Sequence, residues 1–275
     1  MHSRHVVITR FSVRLRDHHF QKKVNLFTEE RLRQRLYYFK NIFLEGITSQ
    51  KPGHPKNSLK EDEYKVIILI DADMPPTWKD ILDDEIAEYE NIFTYTWDLG
   101  KDNINNLDWL RSFMPELFDR DYLIQTRIDD DDAFGEGFMG TMHHWCDKIV
   151  KWDRERKAED ARHKFITFPD GNYIVHHHNS DGNYHVKKQR ARCCGAGLTL
   201  INKSTRNDCI YKFDHSRIST NEEIRIFEKM HGTSMYVVTA HEQNDSSRYK
   251  NILNKLDTYA HFQELEFAVK KALES

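Results

Sequence analysis

The sequence predicts an α/β fold: a mostly parallel sheet flanked by helices, with a smaller mixed region and a C-terminal helix. Three observations carry that expectation. β-branched runs alternate with amphipathic helical patterns through the first half of the 275 residues, and such alternation marks a parallel sheet covered by helices. Two of the apolar runs end in acids: Ile70 is followed by Asp71-Ala72-Asp73, and Ile128 by Asp129, Asp130, Asp131 and Asp132. Ligands of open α/β sheets bind beyond the carboxyl ends of strands, so acids there predict a site. The second half turns to shorter runs between turn residues, which predicts a mixed, hairpin-containing region.

Residues 5–9 (His-Val-Val-Ile-Thr) form an apolar run that reads as a first, central strand. Thr28 with Glu29 and Glu30 reads as a helix start, after which Leu32, Leu36, Phe39, Phe43 and Ile47 recur at helical spacing until Pro52-Gly53. A polar connection over 50–62 leads to a second strand, 64–70, with Asp71 and Asp73 at its exit. Thr77 and Asp80 read as a capping box for a helix that turns Trp78, Ile81, Leu82, Ile86 and Tyr89 inward. Residues 92–97 form a third strand. The helical pattern from Asn106 through Leu107, Leu110 and Met114 should break or kink at Pro115. Residues 122–128 are the strand before the four aspartates.

Phe138, Met142, Trp145, Ile149 and Trp152 then share one helix face and read as core. The charge block 153–162 reads as a solvated helix end or loop. Residues 164–175 suggest a hairpin turning through Asp170-Gly171. Residues 184–192, with Lys187, Lys188, Arg190 and Arg192, read as a basic loop, either over an anionic ligand or simply exposed. Strands at 198–201 and 235–239 follow, the second leading to His241, and a long amphipathic helix over 249–273 closes the chain.

The 41 Lys and Arg against 44 Asp and Glu give a net charge of −3, which argues against a general nucleic-acid binder. Aromatic residues at 12% exclude a disordered chain. Cys146, Cys193, Cys194 and Cys209 lack paired metal spacing and read as the reduced thiols of a cytosolic enzyme. No apolar run reaches the roughly 18 residues of a membrane span and no signal segment opens the chain, so a soluble protein is expected. His176, His177 and His178 with His185 do not read as a zinc site, because adjacent histidines point apart and lack the i, i+4 pairing that puts two on one helix face.

The four aspartates are the chemically pointed feature. Adjacent ionised carboxylates repel one another unless something positive sits beside them. In an extended chain alternate side chains share a face, which would place Asp129 with Asp131 and Asp130 opposite, an Asp-x-Asp spacing. Hard divalent cations such as Mg²⁺ or Mn²⁺ prefer carboxylate oxygen and keep positions open for phosphates, so the run predicts a metal and a diphosphate substrate. The plainer alternative is a solvated acidic loop or a helix N-terminus.

The order of parts resembles a glycosyltransferase of the GT-A type: a parallel sheet, an Asp-x-Asp strand end, then an acceptor half. More narrowly, the chain is similar to a bacterial and viral family of rhamnosyltransferases. The similarity runs through Val6-Val7-Ile8-Thr9-Arg10-Phe11-Ser12, Thr126-Arg127-Ile128-Asp129-Asp130-Asp131-Asp132-Ala133, Ile166-Thr167-Phe168-Pro169-Asp170-Gly171 and residues 241–244. Some enzymes that build glycans on algal-virus capsids are also similar. The resemblance implies a single GT-A-like domain over 1–275 on a Rossmann-like sheet, with 1–135 as the nucleotide-sugar half and 136–275 as the acceptor half. It implies that Thr9, Arg10, Phe11 and Arg14, with Asp71 or Asp73, hold the nucleoside. It further implies that Arg127, Asp129 and Asp130 face the donor, and that Asp129, Asp131, Asp132 and His241 hold Mn²⁺ or Mg²⁺.

The implied reaction moves a sugar, rhamnose or xylose among the candidates, from a UDP- or dTDP-linked donor to a glycan hydroxyl. The implied setting is the cytoplasm, or the host cytoplasm for a viral protein. The metal neutralises the departing diphosphate. An inverting enzyme needs a base at the acceptor hydroxyl. The candidates are Asp170 and the pair Glu222 and Glu223, which follow Ser219 and Thr220 at an expected helix start and could equally be capping residues. A sugar nucleotidyltransferase or two-metal phosphohydrolase would also use acidic strand ends, although no Gly-rich loop follows the first strand. A non-catalytic carbohydrate-binding module would instead put the aspartates on Ca²⁺.

Overall fold

The computed structural model describes residues 3–15, 25–50, 64–135, 137–155, 162–176, 184–229, 234–241 and 261–262. β1 (Ser3–Phe11) runs through the middle of a seven-stranded sheet, since Val6, Val7, Ile8 and Phe11 are apolar on both faces and only a strand covered on both sides buries them all. β2 (Tyr64–Asp71) and then β3 (Ile92–Trp97) lie parallel on one side, and β4 (Tyr122–Arg127) lies parallel on the other. Beyond β4 come β9 (Leu198–Lys203), antiparallel to it, then β6 (His163–Thr167) and β10 (Ile224–Glu228). The chain thus builds outward from β1 in one direction and then returns to its other side. Such a reversal marks the carboxyl ends of β1 and β4 as the place where open α/β sheets form a ligand crevice. The expected mostly parallel, helix-flanked α/β sheet is therefore present.

Helices cover both faces. α1 (Glu29–Tyr38) continues through a π-helical stretch, Phe39–Leu44, into α2 (Glu45–Thr48), and this run presents Leu32, Phe39, Phe43 and Ile47 to the core. α3 (Pro76–Ile86), α4 (Asp108–Phe113) and α5 (Phe138–Glu155) follow. Val7, Phe11, Leu32, Phe39 and Phe138 pack on one side of the sheet, and Val6, Ile8, Leu110, Leu123, Phe165 and Leu200 on the other. A second sheet forms the smaller mixed region from β12 (His261–Phe262), β8 (Tyr184–Arg190), β7 (Asp170–His176), β11 (Tyr236–Ala240) and β5 (Ala133–Phe134), in that order. Among the described residues no helix is long and apolar enough to cross a membrane.

Several local expectations are corrected. Thr77 and Asp80 form no capping box: α3 starts at Pro76, whose fixed φ already suits a first helical turn, and no side chain caps it. Thr28 likewise precedes α1 without a side-chain cap bond. Asp170-Gly171 is not a hairpin turn. β6 and β7 instead enter different sheets, and the Cβ-less Gly171 gives the Tyr236 ring its seat. The basic segment at 184–190 is the strand β8, paired antiparallel with β7, rather than a loop. Trp145 and Trp152 are only partly buried, beneath Lys229 and Arg225, while Phe138, Met142 and Ile149 fill the core. Asp153 is buried, accepting from Tyr122 Oη at 2.7 Å and pairing with Lys164 at 2.8 Å, so the charge block does not begin as a solvated end. The helix expected over 249–273 and the histidines at 177 and 178 lie outside the described residues.

The seat at Gly171 gives a direct test. A methyl group there would overlap the buried Tyr236 ring, and overpacking of that kind costs about 1–3 kcal/mol. Gly171→Ala is expected to lower the urea midpoint by a matching amount. An unchanged midpoint would show that the Tyr236 ring packs less tightly against β7 than described.

Candidate active site

The crevice is assembled by the residues that follow β1, β2 and β4. The register pairs Ile8 with Arg127 and Phe11 with Ile70, so Arg10, Arg14, Asp71 and Asp129 reach one edge of the sheet. Arg10 Nη2 donates to Asp129 Oδ1 at 3.0 Å across the crevice. Ser12, with φ 53°, turns the chain through the left-handed region just beyond β1. Arg14 then donates to Asp71 from its backbone N, Nε and Nη2 at 3.0, 3.0 and 2.7 Å, and it also bonds Asp73. Burial would raise the Asp71 carboxyl, but these bonds from Arg14 hold it below the usual carboxylate range.

The four aspartates do not continue the strand. They form a turn in which Asp132 N–H donates to the Asp129 carbonyl at 3.1 Å, so the alternation expected of an extended chain is lost. Asp129 stays half-exposed beside Arg10. Asp130 is fully buried and meets Arg35 of α1 in a two-pronged ion pair. Asp131 Oδ2 accepts from Arg35 Nη1 at 3.3 Å and lies 2.9 Å from His241 Nε2. Asp132 Oδ1 accepts the Thr239 N–H of β11 at 2.9 Å, which ties the second sheet to the turn.

These contacts divide the acids electrostatically. At Asp129 and Asp131 burial pushes the carboxyl up, but it is outweighed by Arg10 and Arg127 at the first and by Arg35 and His241 at the second, so both stay ionised. Asp132 goes the other way: burial, then the charges of Asp131 and Asp129, raise it well above the ordinary range. His241 is buried, which lowers its pKa despite Asp131, and its ring stacks on Tyr38 at 4.1 Å. Among the described residues no three His, Cys, Asp or Glu side chains converge into a ready-made metal cage. The adjoining carboxylate and imidazole of Asp131 and His241 nevertheless fit Mg²⁺ or Mn²⁺, ions that take one or two protein ligands and leave positions for water and phosphate.

The other site residues expected from sequence separate clearly. Thr9 and Phe11 are fully buried, Phe11 edge-on to Phe39 at 5.7 Å, so they underlie the crevice instead of lining it. Asp130, expected to face the donor, faces Arg35. Asp132, expected on the metal, is turned to Thr239. Asp170 opens β7 just beyond Thr167, and because β6 is parallel to β4 this is the edge where the Asp turn lies. Glu222 and Glu223 precede β10, also parallel to β6, and therefore sit at the opposite edge. No helix starts there; a 3₁₀ turn, Ile218–Thr220, leads straight into the strand.

A family model described as "Putative rhamnosyl transferase" matches residues 4–252. The chain belongs to this family. No curated protein matches the sequence. Among solved structures, S. aureus TarS 1–349 is similar at 10% identity over 98% of this chain and 69% of that one, with a TM-score of 0.34. The same S. aureus protein in complex with UDP is similar at 11% identity over the same shares, with a TM-score of 0.35.

In this member of the rhamnosyltransferase family three groupings lay outside the sequence reading. Arg35 is the principal counter-charge to the acids; its signal was a basic residue on the inner flank of an amphipathic helix, beside a cluster known to need cations. Tyr211, in the 3₁₀ turn Ile210–Lys212, has Arg10 and Arg127 over its ring and left no signal at all. His5 Nδ1 lies 2.7 Å from His143 Nε2, and His5 Nε2 lies 2.7 Å from Thr126 Oγ1, which meets Thr199 Oγ1 at 2.7 Å. This buried chain of bonds runs under the carboxyl end of β4.

The histidine pair predicts an acid limit on stability. Burial lowers His5 well below 6.5, helped by His143, and lowers His143 to about 4. Both rings are neutral when folded, whereas the unfolded chain takes up protons near 6.5, so stability is lost as pH falls below about 6.5 and the His143 share levels off near 4. One group shifted that far corresponds to about 3 kcal/mol. Urea midpoints should fall steeply from pH 7 to pH 5, and less steeply in His143→Phe. Equal slopes in both proteins would refute the assignment.

Proposed function

We propose that this chain is a glycosyltransferase whose donor, a nucleotide diphosphate sugar, lies in the crevice between β1 and β4, and whose acceptor is a glycan hydroxyl. The observation that supports this most is the meeting of Arg10 with Asp129 at that crevice, next to the buried Asp131 and His241 pair. The family match favours transfer over the nucleotidyltransferase, phosphohydrolase and binding-module readings. The family's name supports rhamnose as the sugar, on UDP or dTDP, with xylose as the second candidate.

In this reading residues 1–135 supply the donor half and 136–275 the acceptor half. Arg14 holds both Asp71 and Asp73 in place, and Asp73, 69% exposed, is the carboxylate that would meet the nucleoside hydroxyls. Mn²⁺ or Mg²⁺ would be held by Asp131 and His241, with Asp129 as the nearest accessible carboxylate, and would supply neutralising charge to the departing diphosphate. Arg35 pairs with Asp130 and Asp131 and keeps both aligned. For an inverting reaction Asp170, with Arg190 4.0 Å away, is the base on the correct edge of the sheet.

Screening UDP- and dTDP-sugars for hydrolysis and transfer, with and without Mn²⁺, tests this. Metal-dependent turnover of one donor class is expected. Absence of turnover and of nucleotide binding across the panel would overturn the reading.

A further inference from the structure

Arg127 ends β4 with its side chain buried at 8% exposure, yet among the described residues its Nε–H has no acceptor and no carboxylate forms an ion pair with it. A guanidinium is not left in that state without cost, because it cannot neutralise itself by losing a proton. Its surroundings are orderly. The group lies over the Tyr211 ring, 4.8 Å from the centroid, and Arg10 lies over the same ring at 4.9 Å. Tyr211 is itself fixed, donating its hydroxyl to the Ile8 carbonyl at 3.0 Å. The Arg127 charge acts on Asp129 in the turn that follows β4, and the Asp129 carboxylate is already engaged by Arg10.

Of the two guanidinium groups, Arg10 has the Asp129 carboxylate and Arg127 has none among the described residues, and space remains beside the second. A Cβ built on Gly195 would lie 3.7 Å from Arg127 Nη2 and 3.9 Å from His215 Nδ1, so the glycine leaves room next to the charge. Around the turn as a whole, Arg10, Arg31, Arg35 and Arg127 act on Asp129, Asp131 and His241. Among the described residues the buried Arg127 Nε–H is left without an acceptor, which an anionic group of a ligand would supply. Guanidinium forks suit the paired oxygens of a diphosphate.

We propose that Arg127, with Arg10, forms a diphosphate-binding subsite on the Tyr211 platform, adjoining but separate from the Asp131 and His241 pair. The proposal rests on the nucleotide-sugar reading above and names the part of the donor that these residues take.

Calorimetry with inorganic pyrophosphate, UDP, dTDP and uridine, in the absence of divalent ions, tests it. The wild-type protein should bind pyrophosphate and at least one nucleotide, more weakly as salt rises. Arg127→Gln should weaken both at least tenfold, leave uridine binding unchanged, and keep or raise the urea midpoint because it removes an unneutralised buried charge. Gly195→Leu keeps every charge and fills the space, and it should weaken pyrophosphate similarly. Pyrophosphate and nucleotide binding undiminished in both variants would overturn the subsite and leave the transferase reading standing. Equal loss of uridine would show that Arg127 acts on the nucleoside or the fold, which also overturns it. If wild-type protein bound none of the ligands, with or without Mn²⁺, both readings would fall.

Discussion

Arg35→Met is expected to destabilise the protein by on the order of 3–5 kcal/mol, because removing one partner of a buried ion pair leaves the other charge uncompensated. Arg35 is 8% exposed and Asp130 is completely buried, so water cannot take over. The effect should be large because Arg35 also serves Asp131, and two buried carboxylates would lose the same ion-pair partner together. Urea denaturation at pH 7 measures it. Adding Asp130→Leu should recover most of the loss, since replacing both members of such a pair by apolar groups is often close to neutral. A loss under about 1 kcal/mol in the single variant would mean that the aspartates are not held as ions by this arginine.

Asp131→Asn is expected to lower kcat/KM by on the order of a hundredfold or more, the scale of losing a group that stabilises charge in the transition state. A surface carboxylate could be neutralised at almost no cost to the fold. Asp131 is 4% exposed and bonded to Arg35 and His241, so a stability loss of about 1–3 kcal/mol should accompany the lost turnover. The two effects separate by temperature: at 10–15 °C, well below the unfolding transition, the variant should be folded and still inactive. Near-normal transfer there would remove Asp131 from the site.

Most of the large sheet was legible, and the reason is physical. Runs such as Val66 to Ile70 are buried on both faces, so their apolar composition announces a central strand without reference to the rest of the fold. The Asp71 and Asp129 ends were legible for the same reason, as charges abruptly terminating buried runs. The shape of the Asp turn was not. An Asp-x-Asp reading assumes extended backbone, and whether four acids extend or turn depends on Arg35, nearly a hundred residues earlier, and on Thr239, more than a hundred later. β7 was misread because Asp-Gly is a strong local turn signal, and only the Tyr236 ring, supplied by a later strand, explains the glycine otherwise. Glu222 and Glu223 failed as candidates through topology: their chemistry suited a base, but the direction of β10 puts them at the wrong edge.

Crystals grown with Mn²⁺ and UDP test the central claim most directly, through the anomalous signal of the metal. The expected result is a single strong peak between Asp131 and His241, with the nucleotide's diphosphate in contact with it in the crevice between β1 and β4. Ordered UDP elsewhere, or a metal peak remote from that pair while the nucleotide is bound, would contradict the account.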